Sequence, residues 1–522
     1  MLKQISCDQI LGGWSPSEYF TLKGQFQSSV GIDPEMPTTD SKTRPSGLIR
    51  PTATANIANN MTGAMLWMNG TNKDALTYFY NSDGKIGTID AAYSLAYLNS
   101  GNALSGAGNG AEYYNNYQYY ALNTDIARYG PLNGTPTLAA TWWTSSPLSK
   151  TALSNTTYPS INGVAIPNHP MCRHNANNRL YVGDVLASGI GCVHMINTKK
   201  GTAEGDTNST VVPSAYDALD LYYGWYPTTI CSYNSMIAIG VIDGVSTTSK
   251  QKNAQVIFWS TLASDTGYNL AVELPDPLIT ALKFVNGNLY AFSGSATGGM
   301  RISIYTGGRT FQEIAYLDDT FPPFQGAVDY LVNRIVWGGK TSTPITSASV
   351  FAYGGKSRAM AMGVHNILNS TSVGTAPMAT AVHYISQLPA AQPVVAWKST
   401  VSAASVYGVD KPSTSYGTTC FRSEIFRIST GTNITRIRIP IVGGMAANKS
   451  FTVQAYLDDG ISQSSLWTVN NTTNPGAYYI DIKPLPTWRC NNNFFLEFKN
   501  TGTALCVLGL PIIITIETEI QN

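Results

Sequence analysis

Charge is what this sequence has least of. Asp, Glu, Lys and Arg make up 12% of its 522 residues, about half of the roughly 25% usual in a soluble domain. The 32 basic and 31 acidic residues leave a formal net charge of +1. Basic residues occur only as scattered pairs such as Lys199–Lys200, which argues against sequence-specific nucleic-acid readout, since that needs a phosphate-neutralising stripe. The seven cysteines (Cys7, Cys172, Cys192, Cys231, Cys420, Cys490, Cys506) form no close-spaced framework. Their odd number and low density favour free thiols in a cytosolically made protein, with a Cys490–Cys506 disulfide left open. Long apolar runs are missing as well. The longest, Leu505–Ile516, contains Pro511 and is too short for a bilayer, and Met1–Ile10 has no sustained apolar core. Neither membrane insertion nor a secretory leader is expected. No G-x-S-x-G elbow, H-E-x-x-H helix or phosphate-binding P-loop occurs, so lipase, metalloprotease and NTPase chemistry lack support.

What the chain does have is apolar and aromatic. Hydrophobic residues reach 43%, with 47 Gly, 30 Tyr and 10 Trp. A surface built from Asn, Ser, Thr, Gly and Tyr carries little self-repulsion and suits permanent protein contacts. Short apolar runs alternate with turns along the middle of the chain. They include Leu76–Tyr80, Arg179–Val182, Met236–Val241, Gln255–Trp259, Asn288–Phe292, Met300–Tyr305, Arg334–Trp337 and Ser349–Ala352. Asn286-Gly287 and Thr306-Gly-Gly308 are hairpin signals between such runs. The pattern predicts an all-β chain: a β-propeller of five to seven blades followed by a C-terminal β-sandwich. No WD or kelch signature marks the repeats.

The reading divides the chain into an extended, proline-interrupted N-terminal arm (1–51), a propeller (52–398), a linker rich in Ser, Ala, Gly and Pro (399–417) and a sandwich (418–522). In the sandwich, Arg436, Arg438 and Pro440 alternate with Ile437, Ile439 and Ile441, the period of a two-faced sheet. Trp467 and Trp488 are candidate core anchors. Residues 197–212 read as a polar loop, and a short helix is placed near Ala359–Leu368.

Candidate chemistry is sparse. His169-Pro-Met-Cys172-Arg-His174 is the densest histidine and cysteine cluster, but its spacing matches no familiar zinc site. Asp318–Asp319 and Asp458–Asp459-Gly460 resemble fragments of calcium loops and read better as turns. Glycoside hydrolysis needs two facing carboxylates. Asp184, Asp217, Asp220, Glu273, Asp276, Glu313 and Asp329 are available for it, none in a diagnostic motif. No catalytic residue, metal site or cofactor is assigned. Interface or ligand-stacking candidates are the aromatics Trp14, Tyr114, Tyr117, Trp142, Trp143, Tyr223, Trp225 and Tyr226. They suit protein contacts or the apolar face of a sugar ring, and plain packing between blades is the alternative.

Leu11-Gly-Gly-Trp14, Gly31-Ile-Asp-Pro34 and Arg44-Pro-Ser-Gly-Leu-Ile-Arg-Pro51 resemble the opening of β-propeller structural proteins of tailed bacteriophages. The motifs cover residues 10–55, and the similarity continues over 52–400 only as texture. The resemblance implies a multicopy virion component, assembled in the host cytoplasm and located in the tail or at the head–tail junction. Its partners would be further copies of itself and other virion proteins. The rival expectation is a carbohydrate-binding or carbohydrate-active propeller that recognises a host-surface glycan. A secreted lectin-like sensor is a third reading, disfavoured by the missing leader.

Overall fold

The computed structural model describes residues 2–7, 13–14, 25–26, 28–30, 52–56, 66–69, 77–81, 84–90, 95–99, 104, 109–144, 152–161, 164–198, 209–212, 219–246, 251–261, 267–318, 320–331, 334–340, 348–354, 359–365, 381–387, 393–399, 406–412, 419–460, 462–502 and 506–518. Among these, seven antiparallel sheets follow one another along the chain. Blade 1 runs from Leu66 to Tyr97, blade 2 from Ala111 to Ala139 and blade 3 from Met171 to Tyr223. Blade 4 runs from Trp225 to Glu273, blade 5 from Leu278 to Leu317 and blade 6 from Val328 to His365. Blade 7 takes three strands from Ala381–Pro412, and its outermost strand is Thr52–Asn56, paired antiparallel to Val406–Pro412. The first strand of each blade touches the first strand of the next, and that of blade 7 touches that of blade 1. The ring is closed, and it is a β-propeller.

The reason for this architecture lies in two-sided burial. A strand whose two faces both meet neighbouring sheets must be apolar on both, so it reads as a continuous run rather than an alternation. Met236–Asp243 is buried at every position but its first, and Arg179–Val185 likewise. Apolar clusters of the ring straddle neighbouring blades. Tyr80 and Ile86 of blade 1 pack with Tyr120 and Ala127 of blade 2. Tyr181 and Val193 of blade 3 pack with Ile237 and Trp259 of blade 4, and Phe292 and Ile302 of blade 5 with Trp337 and Phe351 of blade 6. Hairpin turns between first and second strands repeatedly use Asn at positive φ: Asn115, Asn116, Asn178, Asn234 and Asn286. Asn tolerates that region better than other side-chain-bearing residues. At Asn286-Gly287, φ values of 49° and 80° give the twist a two-residue hairpin needs.

A 3-10 turn, Gln325–Ala327, lies against the innermost strands of blades 5 and 7. Its Gln325 side chain reaches blade 4, accepting from Thr229 Oγ1 at 2.9 Å and donating to the Ile230 carbonyl at 2.9 Å.

The second body is a sandwich of two sheets around Ile434, Ile437, Ile439, Phe451, Val453, Leu496, Phe498, Ile512 and Ile514. Trp488 is buried in it, whereas Trp467 is exposed: only the first is an anchor. The N-terminal segment is not a free arm over its described stretches. Leu2–Cys7 pairs with Ile512–Glu517 and Ser28–Val30 with Cys420–Arg422, so both are sandwich strands. Nor is 399–417 a plain linker, since Val406–Pro412 is a blade strand. Ser209–Val212, inside the expected loop, is an outer strand of blade 3. Ala359–His365 is a strand paired with Val350–Gly354 rather than a helix. None of the seven cysteines is in a disulfide, so Cys490 and Cys506 are not bridged.

On the outer face of the sandwich, Asp481 accepts from Arg436 Nε at 2.9 Å and Arg438 Nε at 3.1 Å. The two guanidinium groups hold its carboxyl down to about 2, against about 3.9 for a free Asp. A depressed folded-state value contributes stability that is complete above the unfolded value and lost as pH falls through the folded one. Acid titration of unfolding should therefore show this contribution fading between about pH 4 and pH 2. Asp481→Asn should flatten the wild-type loss in that window, read as the difference in denaturant midpoint against pH. Equal slopes for both proteins would mean the fork contributes nothing.

Candidate functional site

The chain exposes aromatic rings where blade 3 meets blade 4. Leu219–Tyr223, an outer strand of blade 3, runs through Gly224 directly into Trp225–Tyr233, the innermost strand of blade 4. Leu219 and Leu221 turn inward, while Tyr222 and Tyr223 are 68% and 67% exposed. Gly224 holds φ +84°, and a Cβ there would stand 2.7 Å from Val245 Cγ2, so the chain passes at backbone distance under an exposed valine. Tyr223 is seated the same way, its ring lying over Gly189, where a Cβ would meet Cε2 at 2.7 Å. Tyr222 meets Tyr268 edge-on, ring centroids 6.1 Å apart.

Beside these rings lies a cleft of about 380 Å³ lined by Trp225, Gln251, Lys252, Asn253, Gln255 and Glu273. Asp243 shapes its rim. Its Oδ1 accepts from the Val245 and Ser246 N–H groups at 3.2 and 3.1 Å, and its Oδ2 from the Lys252 N–H at 3.2 Å. Burial pushes the Asp243 carboxyl up, but these donors outweigh it and hold it below its ordinary value. Asn253 Nδ2 donates to Glu273 Oε1 at 2.8 Å, and Lys252 Nζ stands 5.9 Å from the Trp225 ring centre. One indole and five hydrogen-bonding side chains make a polar cleft with a single flat apolar wall.

The other aromatic candidates fall elsewhere. Tyr114, Tyr117, Trp142 and Trp143 are buried between blades 2 and 3. Their stacking partners are internal: Trp142 meets Tyr119 at 5.0 Å, and the Arg128 guanidinium lies 4.2 Å from the Tyr117 ring centre. They pack the core and present no surface. Tyr226 is likewise buried, 5.5 Å from the Tyr158 ring. Trp14 belongs to the two-residue strand Gly13–Trp14. Of the named aromatics whose side chains are described, Tyr223 and Trp225 contribute to the exposed site. Sequence reasoning missed Tyr268 and the polar lining Gln251, Lys252, Asn253 and Gln255, because the strands that gather them are separated by loops with no motif.

The acidic candidates are mostly committed to cations or backbone. Asp276 accepts from Arg301 Nε at 3.0 Å, and Glu313 pairs with the same guanidinium. Asp329 pairs with Lys283 at 2.7 Å. Asp220 is an exposed strand residue, and Asp217 and Asp319 lie outside the described residues. Asp458 accepts from the Asn491 and Asn492 N–H groups at 2.8 and 2.9 Å, the role of a turn clamp. The histidine cluster is dispersed: His174 Nδ1 meets Ser232 Oγ at 2.9 Å, Cys172 donates to the Arg173 carbonyl, and His169 turns away toward Asp184.

No protein-family model matches the chain, and no curated protein matches it. Solved structures similar to it include a streptogramin B lyase (11% identity, TM-score 0.40, covering 68% of this chain and 96% of that one). The Dos1 propeller is similar at 11% identity and TM-score 0.40, covering 69% and 94%. The WD40 propeller domain of Doa1 is similar at 10% identity and TM-score 0.38, covering 69% and 96%.

Proposed function

We propose that this chain is a structural component of a tailed-phage virion, a multicopy scaffold or adaptor of the tail or head–tail junction. The observation that carries the reading is the exposed group of Tyr222, Tyr223 and Val245, with half-buried Tyr268 edge-on to Tyr222, on a rigid frame. Tyrosine rings offer a large contact area at low entropic cost, and they concentrate where proteins meet. The low charge of the chain lets copies approach without strong repulsion. The frame suits load bearing, because sandwich and propeller are tied together more than once. The chain passes from sandwich strand Ser28–Val30 into blade strand Thr52–Asn56 and returns after Pro412. Strand Ser28–Val30 also packs against the outermost strand of blade 6.

The test is the native mass of the purified full chain by light scattering. Wild type should form a defined assembly, and Tyr222→Ser with Tyr223→Ser together should shift it to smaller species with unchanged circular dichroism. A wild-type monomer at every concentration, in protein that also fails to incorporate into particles, overturns the scaffold reading.

The Trp225 cleft favours a second reading, binding of a surface glycan. An indole face matches the apolar face of a pyranose, and the surrounding Gln, Asn, Lys and Glu side chains match its hydroxyls. Glycan-array binding that Trp225→Ala abolishes would select this reading. Absence of binding by wild type would remove it.

A further inference from the structure

Blade 3 carries a buried group of side chains that neither reading uses. Its strands Arg179–Val185 and Ile190–Thr198 run antiparallel, with Asp184 opposite Cys192 and Val182 opposite His194. Cys192 and His194 are two residues apart and so share one face of the sheet. All three side chains are buried, and their ligand atoms lie within 4.8 Å of one another. His194 Nε2 is 3.1 Å from Asp184 Oδ2 and 3.6 Å from Cys192 Sγ.

These separations can be compared with a coordination polyhedron. Tetrahedral zinc bonds of about 2.3 Å to sulfur and about 2.0–2.1 Å to nitrogen and oxygen give edges of roughly 3.6 Å (S to N) and 3.3 Å (N to O). The observed pairs stand close to both. The carboxylate is also aimed. Its Oδ1 accepts from the Ser154 and Val185 N–H groups at 3.2 and 2.8 Å and faces His169 Nδ1 at 3.4 Å, which fixes Oδ2 toward Cys192 and His194. Such outer support is what orients ligands in metal sites. His169 is itself held, at φ 50°, with Nε2 against the Asn123 carbonyl at 3.1 Å.

We infer that Asp184, Cys192 and His194 form a buried site for a divalent transition-metal ion of the zinc class. One carboxylate, one thiolate and one neutral imidazole balance a +2 ion to net neutrality, the condition for burying it cheaply. A thiolate and an imidazole in a three-ligand set exclude calcium and magnesium, which need oxygen cages, and suit zinc. Binding releases the Cys192 proton to solvent and forms the metal–sulfur bond, with no redox change. Without a cation, burial and the neighbouring Asp184 push that thiol well above its ordinary value. The ion would pin the second hairpin of blade 3 to the Ser154 segment and, through His169, to Asn123 of blade 2.

The experiment uses the full chain purified without chelator, with zinc content read by mass spectrometry after exhaustive dialysis and cobalt(II) as a spectroscopic probe. Wild type should retain close to one zinc per chain. Its cobalt form should show a sulfur-to-metal charge-transfer band and tetrahedral ligand-field absorption. Cys192→Ser should lose the band and bind zinc at least tenfold more weakly. Wild type with no zinc above background and no cobalt band overturns the site. So does equal zinc in Cys192→Ser, which would place the ion elsewhere. The wild-type cobalt spectrum decides even if a variant fails to fold.

Discussion

Trp337→Ala should destabilise the protein by about 3–5 kcal/mol, the range for emptying a buried aromatic site. Trp337 is fully buried in blade 6. Its indole stacks on Phe351 with centroids 5.6 Å apart and planes 10° from parallel, and it meets Phe292 of blade 5 at 5.6 Å. The residue therefore joins two strands of one blade and two neighbouring blades. Strands on both sides are held by the ring, so the cavity cannot collapse without opening the interface between blades 5 and 6. Among the described residues the indole N–H has no hydrogen-bond partner, so the loss is one of packing and not of a polar contact. Trp337→Phe, which keeps a ring against Phe351 and removes that unpartnered donor, should cost clearly less. Midpoints of chemical unfolding for the three proteins check the order. Equal midpoints for Ala and Phe would mean that stacking at this interface does not matter.

The second large effect concerns closure. Removal of residues 1–56 takes Thr52–Asn56 from blade 7 and Leu2–Cys7 and Ser28–Val30 from the two sandwich sheets. Three strand edges then lie bare, and blade 7 loses its outermost strand. Bare edges template intermolecular pairing. The truncated chain should aggregate or swap strands between copies. Removal of 1–30 alone should leave ring closure intact and damage only the sandwich. Limited proteolysis distinguishes the cases: protection of 66–412 in the shorter deletion, general digestion in the longer one. A soluble, protease-resistant monomer of 57–522 with a wild-type midpoint would show that the ring does not depend on this strand.

The strands of the middle of the chain were legible because two-sided burial writes itself as apolar runs. Arg179–Val182, Met236–Val241, Gln255–Trp259 and Asn288–Phe292 all lie inside observed strands. What was not legible is pairing across the length of the chain. Leu2 lies opposite Glu517, and nothing local in either segment announces the other. The short helix expected near Ala359–Leu368 begins with Ala-Met-Ala-Met, residues that favour helix. In the blade, its pairing with Val350–Gly354 overrides that preference. The linker reading of 399–417 failed for a similar reason: Val406–Pro412 is held as a strand by long-range pairing with Thr52–Asn56 as well as with its neighbour in the blade. The aromatic candidates split because composition does not report depth: Trp142-Trp143 and Tyr222-Tyr223 look alike as pairs, yet the first is buried and the second exposed. The Asp184 group had a faint signal that went unread, a Cys-x-His pair in an alternating strand one hairpin away from an acid.

The 3-10 turn at Gln325–Ala327 bears on what the molecule can conduct. It leads directly into the first strand of blade 6, touches the innermost strands of blades 5 and 7 on either side, and is bonded through Gln325 to blade 4. What it can conduct is force: one turn couples blades 4 to 7, so a load on one of them is shared by the others.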